Sequence, residues 1–213
     1  MRATAALILV SCLFSFVAWS MDPITVQGYM VYSLENFSAG KLWTVISAIF
    51  IHSGTIHLLG NMLFLFVFGR TLEEELGGSR MFGSFLLGGV ISFFSTTLFY
   101  PPDTAMVGAS AAIFTLAAVA MLVKPLKFSW IFLSPVGLVA IIYFLYNVVI
   151  VYHEVQSSVS YIGHVIGFMI GVPLGIAWSK KWKVNMLLTA LLLAIYYIIL
   201  EFILGIKILG RIG

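Results

Sequence analysis

Apolar residues run through this chain in long blocks separated by short polar breaks. Blocks of that kind mark membrane spans, each needing about 20 residues to cross about 30 Å of hydrocarbon. The breaks predict helices over residues 3–19, 55–76, 81–99, 110–123, 128–151, 161–179 and 184–209. Seven helices leave loops but no room for a soluble domain. One membrane domain over 1–213 is expected, with a core over about 1–180 and an extra C-terminal span over about 184–209. The longest connection, residues 20–54, is mixed. Its 37–51 portion carries Trp43, Phe50 and several aliphatics beside Lys41, which suits a segment lying in the interface. No internal repeat is evident, which weighs against an inverted-repeat transporter.

Composition turns the pattern into an exclusion. Of 213 residues, 62% are hydrophobic and 9% charged, where a soluble domain carries about 25% charged. Mean hydropathy is +1.11. Such a chain cannot cover a water-facing surface, so an all-α, multi-pass integral membrane protein is expected. The net charge of +3 is small and dispersed, with no basic block interleaved with aromatics, so nucleic acid is not an expected partner. Cys12 is the lone cysteine and excludes an intrachain disulfide.

The positive residues set a direction. Seven spans place Arg2, Arg70, Arg80, Lys124, Lys127, Lys180, Lys181 and Lys183 on one side, and Lys41, Lys207 and Arg211 on the other. The excess of eight over three puts the N-terminus in the cytoplasm and the C-terminus outside. Arg2 before a short apolar run also fits a cleaved leader, which is the lesser reading of that segment.

Ionisable or nucleophilic groups inside apolar spans are costly and so are candidates for function. Three groups stand out. His57 and Asn61 share one face of the second span by their i,i+4 spacing. Gly108-Ala-Ser110 opens the fourth span, and Gly163-His164-Val-Ile-Gly167 opens the sixth. At about 1.5 Å per residue, Ser110 lies about 21 Å from Lys124, His164 about 24 Å from Lys180 and His57 about 20 Å from Arg70. All three groups thus share one depth, in the outer half of the bilayer. The fourth span, at about 21 Å, is too short to cross. Pro101-Pro102 oppose its extension, so the 101–109 loop is expected to dip into the protein beside a wet cavity.

Each of these residues has a plainer reading. A membrane serine commonly bonds its own helix or glues two helices together. Gly163, Gly167, Gly171 and Gly175 form a small-xxx-small stripe whose meaning is close helix approach. The fourth span, kept thin by Ala111, Ala112 and Ala118, is its natural neighbour. Glu201 in the seventh span is assigned to structure. Glu73, Glu74 and Glu75, with Arg70 and Arg80, look like a solvated helix end that bonds helix termini. His52 and His153 fall in outer loops; His52 and His57, five apart, do not share a helix face, and no metal or other cofactor is implied.

These motifs together resemble the rhomboid intramembrane serine proteases. The resemblance rests on His57-x-x-x-Asn61, Gly108-x-Ser110 and Gly163-His164-x-x-Gly167 in that order, and covers about residues 42–175. It implies a rhomboid-like six-helix core plus one C-terminal transmembrane helix. It also implies that Ser110 is the nucleophile and His164 the general base of a dyad without an aspartate. His57, Asn61 and the Ser110 N–H would surround the oxyanion, and Phe114 would pack on the catalytic imidazole. Gly108, Gly163 and Gly167 would support the site. The 128–151 span would act as a lateral gate. Three departures accompany the match: Ala111 follows the nucleophile where the family usually has Gly, Gly163 precedes the histidine where Ala is common, and Lys41 and Gly40 stand where the first loop usually carries Arg and Trp.

The implied function is an intramembrane serine endopeptidase cleaving single-span transmembrane substrates near their outer ends, with the active site open toward the outer side. Two alternatives carry less of the pattern. One is a noncatalytic rhomboid-like protein that binds membrane helices; the other is a small permease using its histidines as a proton relay.

Overall fold

The computed structural model describes residues 2–153 and 160–203. In chain order its helices are α1 (Arg2–Ser20), α2 (Pro23–Tyr29), α3 (Leu34–Ser38), α4 (Thr44–Phe50), α5 (Thr55–Leu76), α6 (Gly78–Thr96), α7 (Ser110–Val123), α8 (Val136–Tyr152), α9 (Tyr161–Trp178) and α10 (Trp182–Ile198). A π-helical turn, Ile199–Ile203, continues α10, and a two-stranded hairpin pairs β1 (Phe128–Ser129) with β2 (Ser134–Pro135). Among the described residues, four helices are long and apolar enough to cross a membrane: α1, α5, α9 and the continuous segment Trp182–Phe202. The chain is an all-α polytopic membrane protein, with α1 and α5–α9 as its core and α10 as a seventh long helix.

The arrangement follows from where small side chains fall. Helix α7 reads as apolar on every face, and every residue from Ala111 to Leu122 is buried. A helix of that kind belongs at the centre of a protein. This also accounts for its shortness, because it is walled by protein and has no need to span lipid. Helix α9 lies directly on it. A Cβ at Gly167 would sit 2.2 Å from the Ala111 carbonyl oxygen, and one at Gly171 2.3 Å from that of Thr115. Only glycine permits this approach. Thr115 Oγ1 then donates to the Gly167 carbonyl at 2.7 Å. Gly163 is the exception in the stripe, since it faces Thr96 on α6 and Ser160.

Polar residues at the far end of α7 tie the helix ends together. Glu73 accepts from the backbone N–H groups of Ala3 and Thr4, both at 2.9 Å, capping the start of α1. Glu74 pairs with Arg70 and Lys127, and Glu75 with Lys124. The three adjacent carboxylates therefore tie the end of α5 to the start of α1 and to the segment that follows α7. Asn185 of α10 donates to the Leu122 and Val123 carbonyls at 2.7 and 3.1 Å, capping the end of α7.

The expected spans need several corrections. The fifth helix starts at Val136, eight residues later than expected from position 128, because the β1–β2 hairpin and Pro135 occupy the start of that run. Pro135, the last residue of β2, is also the N-cap of α8, so strand and helix meet at one residue. The third span runs over Gly78–Thr96, starting and ending three residues early. The seventh agrees through Ile203; the rest of its expected range to 209 lies outside the described residues. Glu201 Oε2 is buried without a hydrogen-bond partner among the described residues.

The long first connection is folded into three short helices held by caps and side-chain bonds. Asp22 and Ser33 cap α2 and α3 by accepting from Thr25 and Asn36. Lys41 Nζ donates to Gly28 O at 2.7 Å and to Asn36 Oδ1 at 3.2 Å, and Trp43 Nε1 to Tyr29 O at 2.8 Å. These bonds anchor the loop through Lys41 and Trp43.

Candidate active site

The loop before α7 is held from three directions. Met106 N–H donates to Tyr32 O at 2.7 Å, Gly108 N–H to Ala48 O at 2.9 Å, and Ala109 N–H to His52 Nε2 at 3.4 Å. His52 itself is buried, with Nδ1 3.1 Å from Ser15 Oγ, and Ser15 Oγ donates to Phe50 O. The chain of donors is self-consistent when Nδ1 carries the proton. Burial and the neighbouring His57 ring lower the His52 pKa from 6.5 to about 4. Gly108 has φ +113°, which favours glycine, and a Cβ there would stand 2.9 Å from the His57 ring. The turn delivers Ser110 as the first residue of α7.

His164 is delivered by the first turn of α9. Ser160 caps that helix by accepting from Gly163 N–H at 3.3 Å. The glycine seam brings the first turn of α9 against that of α7, and His164 Nε2 lies 2.7 Å from Ser110 Oγ. Phe114, one turn below the serine, stacks on the imidazole with centroids 4.7 Å apart and planes 12° apart. The stack continues from Phe114 to Tyr143 of α8 at 4.2 Å and from Tyr143 to Phe64 of α5 at 4.3 Å. Tyr161 meets the imidazole edge-on at 6.0 Å.

Helix α5 brings His57 and Asn61 to the same place. Both line a cavity of about 250 Å³ together with Ser110, His164, Tyr143, Tyr146, Asn147 and Tyr161. Among the described residues, none of its lining side chains is a carboxylate, lysine or arginine. His57 Nδ1 lies 3.1 Å from Ser53 Oγ, and Asn61 Nδ2 donates to His57 O at 2.9 Å, which leaves its second N–H. The point where a Gly108 Cβ would sit is 3.1 Å from His57 Nε2 and 4.0 Å from Ser110 Oγ. Backbone N–H groups in the first turn of a helix lack intrahelical partners, and the Ser110 N–H is one of them.

Of the eight residues named from the sequence, His57, Asn61, Ser110 and His164 line the cavity; Phe114 stacks on the His164 ring, Gly108 lies against His57, Gly167 against the Ala111 carbonyl, and Gly163 against Thr96 and Ser160. Two polar partners were missed. One is His52, read as a loop residue of no particular role, which holds the loop leading to Ser110. The other is Asn147 of α8, only 1% exposed, whose Oδ1 lies 2.7 Å from His164 Nδ1. The signal for Asn147 was available: it is a lone amide in an apolar span, the same kind of costly residue that exposed Ser110 and His164. His153 caps α8 and has no part in the cavity.

Fold and site define a polytopic membrane protein with a hydroxyl and an imidazole bonded in a cavity between helices. A model of the Rhomboid domain matches residues 39–181, and the chain belongs to the rhomboid family. It is 36% identical over 100 residues to Rhomboid-like protein 11, chloroplastic, of Arabidopsis thaliana, covering 47% of this chain and 35% of that one. It is 37% identical over 95 residues to YdcA of Bacillus subtilis (strain 168), whose name proposes a rhomboid protease, covering 45% and 46%. RHOMBOID-like protein 7 of Arabidopsis thaliana is 32% identical over 112 residues, covering 48% and 35%. The chain thus matches less than half the length of each of these relatives.

Proposed function

We propose that this rhomboid-family chain is an intramembrane serine endopeptidase cleaving transmembrane-helix substrates near the outer membrane face. The observation that carries the reading is the 2.7 Å contact between Ser110 Oγ and His164 Nε2 inside a cavity of helices. In the proposed reaction, Ser110 Oγ attacks the scissile carbonyl carbon as its proton passes to His164 Nε2. The oxyanion forms within reach of the Ser110 N–H, the second Asn61 N–H and His57. His164 returns the proton to the leaving amine as the C–N bond breaks, leaving an acyl ester on Ser110. Water, deprotonated by His164, then hydrolyses that ester and regenerates the hydroxyl.

A substrate helix must unwind before its carbonyl becomes accessible, so small or helix-breaking residues near the scissile bond favour cleavage. The charge asymmetry supports a cytoplasmic N-terminus, with the cavity toward the outer side. Neither departure near the site removes a reacting atom. Ala111 turns its carbonyl to Gly167, and Lys41 and Trp43 anchor the first loop. The alternative of a noncatalytic binder gives no reason for a serine and a histidine at bonding distance.

The test is cleavage of a labelled single-span substrate by protein in liposomes. Wild type is expected to cut near the outer boundary, while Ser110→Ala and His164→Ala each lose about 10³-fold or more of the rate. Cleavage surviving Ser110→Ala would sink the assignment. Binding without cleavage, with no labelling of Ser110 by a fluorophosphonate, would favour the binder.

A further inference from the structure

The hydrogen bonds around His164 have only one polarity that satisfies every atom, and its origin lies on α8. Tyr143 O is a carbonyl and can only accept, so the Asn147 group facing it at 2.7 Å is the Nδ2 amide. This i−4 bond within α8 fixes the amide plane and turns Oδ1 to the imidazole, 2.7 Å from Nδ1. Oδ1 can also only accept. Nδ1 must therefore donate, and the proton of a neutral imidazole resides there. Nε2 is left with its lone pair directed at Ser110 Oγ, 2.7 Å away. The reversed tautomer would set the Asn147 oxygen against a bare Nδ1, both buried, at the cost of an unmade bond on each.

We infer that Asn147 is a positioning residue whose amide oxygen keeps the His164 proton on Nδ1, leaving Nε2 free to take the Ser110 proton. Its amide bonds Tyr143 O and His164 Nδ1 rather than Ser110, and it acts through His164. Phe114 constrains the tilt of the ring, whereas Asn147 constrains its rotation within the plane and its tautomer. When Nε2 takes the serine proton, the imidazolium keeps its Nδ1–H bond to Oδ1. The amide accepts that bond without receiving a proton, so no charge leaves the ring. In this respect the site has three members, contributed by α7, α8 and α9, although the third is neutral.

The kinetic part of this inference rests on the protease reading; the tautomer does not. Full-length protein labelled with ¹⁵N-histidine in lipid nanodiscs gives both. The His164 resonances are identified by their loss in His164→Ala. Wild-type His164 is expected as a single neutral tautomer protonated at Nδ1. Asn147→Leu is expected to give mixed tautomers or protonation at Nε2. Asn147→Asp, whose carboxylate accepts the same bond, is expected to retain Nδ1–H. In the cleavage assay, Asn147→Leu should lower kcat by about 10- to 100-fold with KM unchanged, a share of the about 10²- to 10⁴-fold that acid–base catalysis supplies. Asn147→Asp should recover most of that loss.

A wild-type His164 protonated at Nε2 would overturn the inference, whatever the variants do. An Asn147→Leu protein with unchanged tautomer and unchanged kcat would also overturn it. If Asn147→Leu does not fold, the wild-type tautomer and the Asn147→Asp spectrum decide. Should no sample cleave substrate while the tautomers behave as described, the protease reading fails and the positioning of His164 by Asn147 stands.

Discussion

Helices α8 and α9 both meet the central helix α7, yet by different means. Along α9, Gly167 and Gly171 let two backbones approach until a single added methyl would collide with a carbonyl oxygen. Along α8, the buried residues are Val136, Gly137, Leu138 and Ala140 near its start, and then Asn147 alone. Beyond its start, α8 is held by Tyr143, between the rings of Phe114 and Phe64, by Phe144 stacked on Phe168 of α9 at 4.1 Å, and by one amide. Backbone seams of the first kind fix distances within tenths of an ångström, because close-packed main chain has nowhere to move. Stacked rings tolerate sliding. The serine and histidine are mounted on the rigid seam, and the group orienting the histidine on the more loosely held helix. A site built this way holds Ser110 and His164 together by main-chain packing, independently of the side-chain contacts that hold Asn147.

The most severe way to break the comparison is to put bulk into the seam. Gly167→Leu forces its side chain onto the Ala111 carbonyl, which is main chain and cannot swing aside. Overpacking of that kind costs about 3 kcal/mol or more. Both stability and Ser110 reactivity toward a fluorophosphonate are expected to collapse, the second because α7 and α9 separate. Gly83→Ala on α6, with nothing within 4 Å of the added methyl, is the control. It should raise stability by up to about 1 kcal/mol through helix propensity. Equal damage from the two would remove the seam from the argument.

The seam end also depends on a neutral His52. Its pKa in the folded protein is about 4, against an ordinary 6.5. Between those values the unfolded chain binds more protons than the folded one, so stability falls as pH drops from 6.5 toward 4. Below about 4 and above about 6.5 this contribution is flat, and across the window it totals about 3 kcal/mol. Melting of wild type and His52→Gln from pH 4 to 7.5 checks this: the pH slope of the wild type should be steeper. Parallel slopes would mean that His52 is not held neutral by the loop it supports.

The sequence exposed the seam side far better than the α8 side. Ser110, His164 and the glycine stripe announce themselves, because polar atoms and regular small residues are rare in apolar spans and their periodicity places them on one face. The depth argument needed only helix rise and the flanking lysines. Asn147 was passed over because a run rich in tyrosine and phenylalanine already had a reading as a gate, and a single amide did not disturb it. His52 was misread for another reason: a loop residue is assumed to be solvated, and nothing local shows that Ser15, thirty-seven positions earlier, will close over it. The late start of α8 was hidden because residues 128–135 are apolar enough to extend a span, and only Pro135 hints at the hairpin. For Asn147 and His52 the missing information was a distant partner, and for α8 it was a local hairpin.

A gentler substitution on α8's own support sharpens the contrast. Phe64→Leu keeps apolar bulk beside Tyr143 but removes the ring stack, and aromatic pairs contribute about 0.5–1.5 kcal/mol beyond the area they bury. The expected destabilisation is about 1 kcal/mol. Because neither Gly167 nor Gly171 touches Phe64, the Ser110–His164 distance should survive, and fluorophosphonate labelling of Ser110 should stay near the wild-type rate. What should change is the other arm of the imidazole. With Tyr143 less constrained, the carbonyl that aims the Asn147 amide gains freedom, and the Nδ1 bond should weaken before the Nε2 bond does. Proton exchange at His164 Nδ1, followed by NMR in Phe64→Leu, reads that bond directly. Faster exchange with intact labelling would place the two arms of one imidazole on supports of different stiffness. Labelling lost as fully as in Gly167→Leu would show that α8 holds the nucleophile as firmly as α9 does, and the distinction between the two helices would fall.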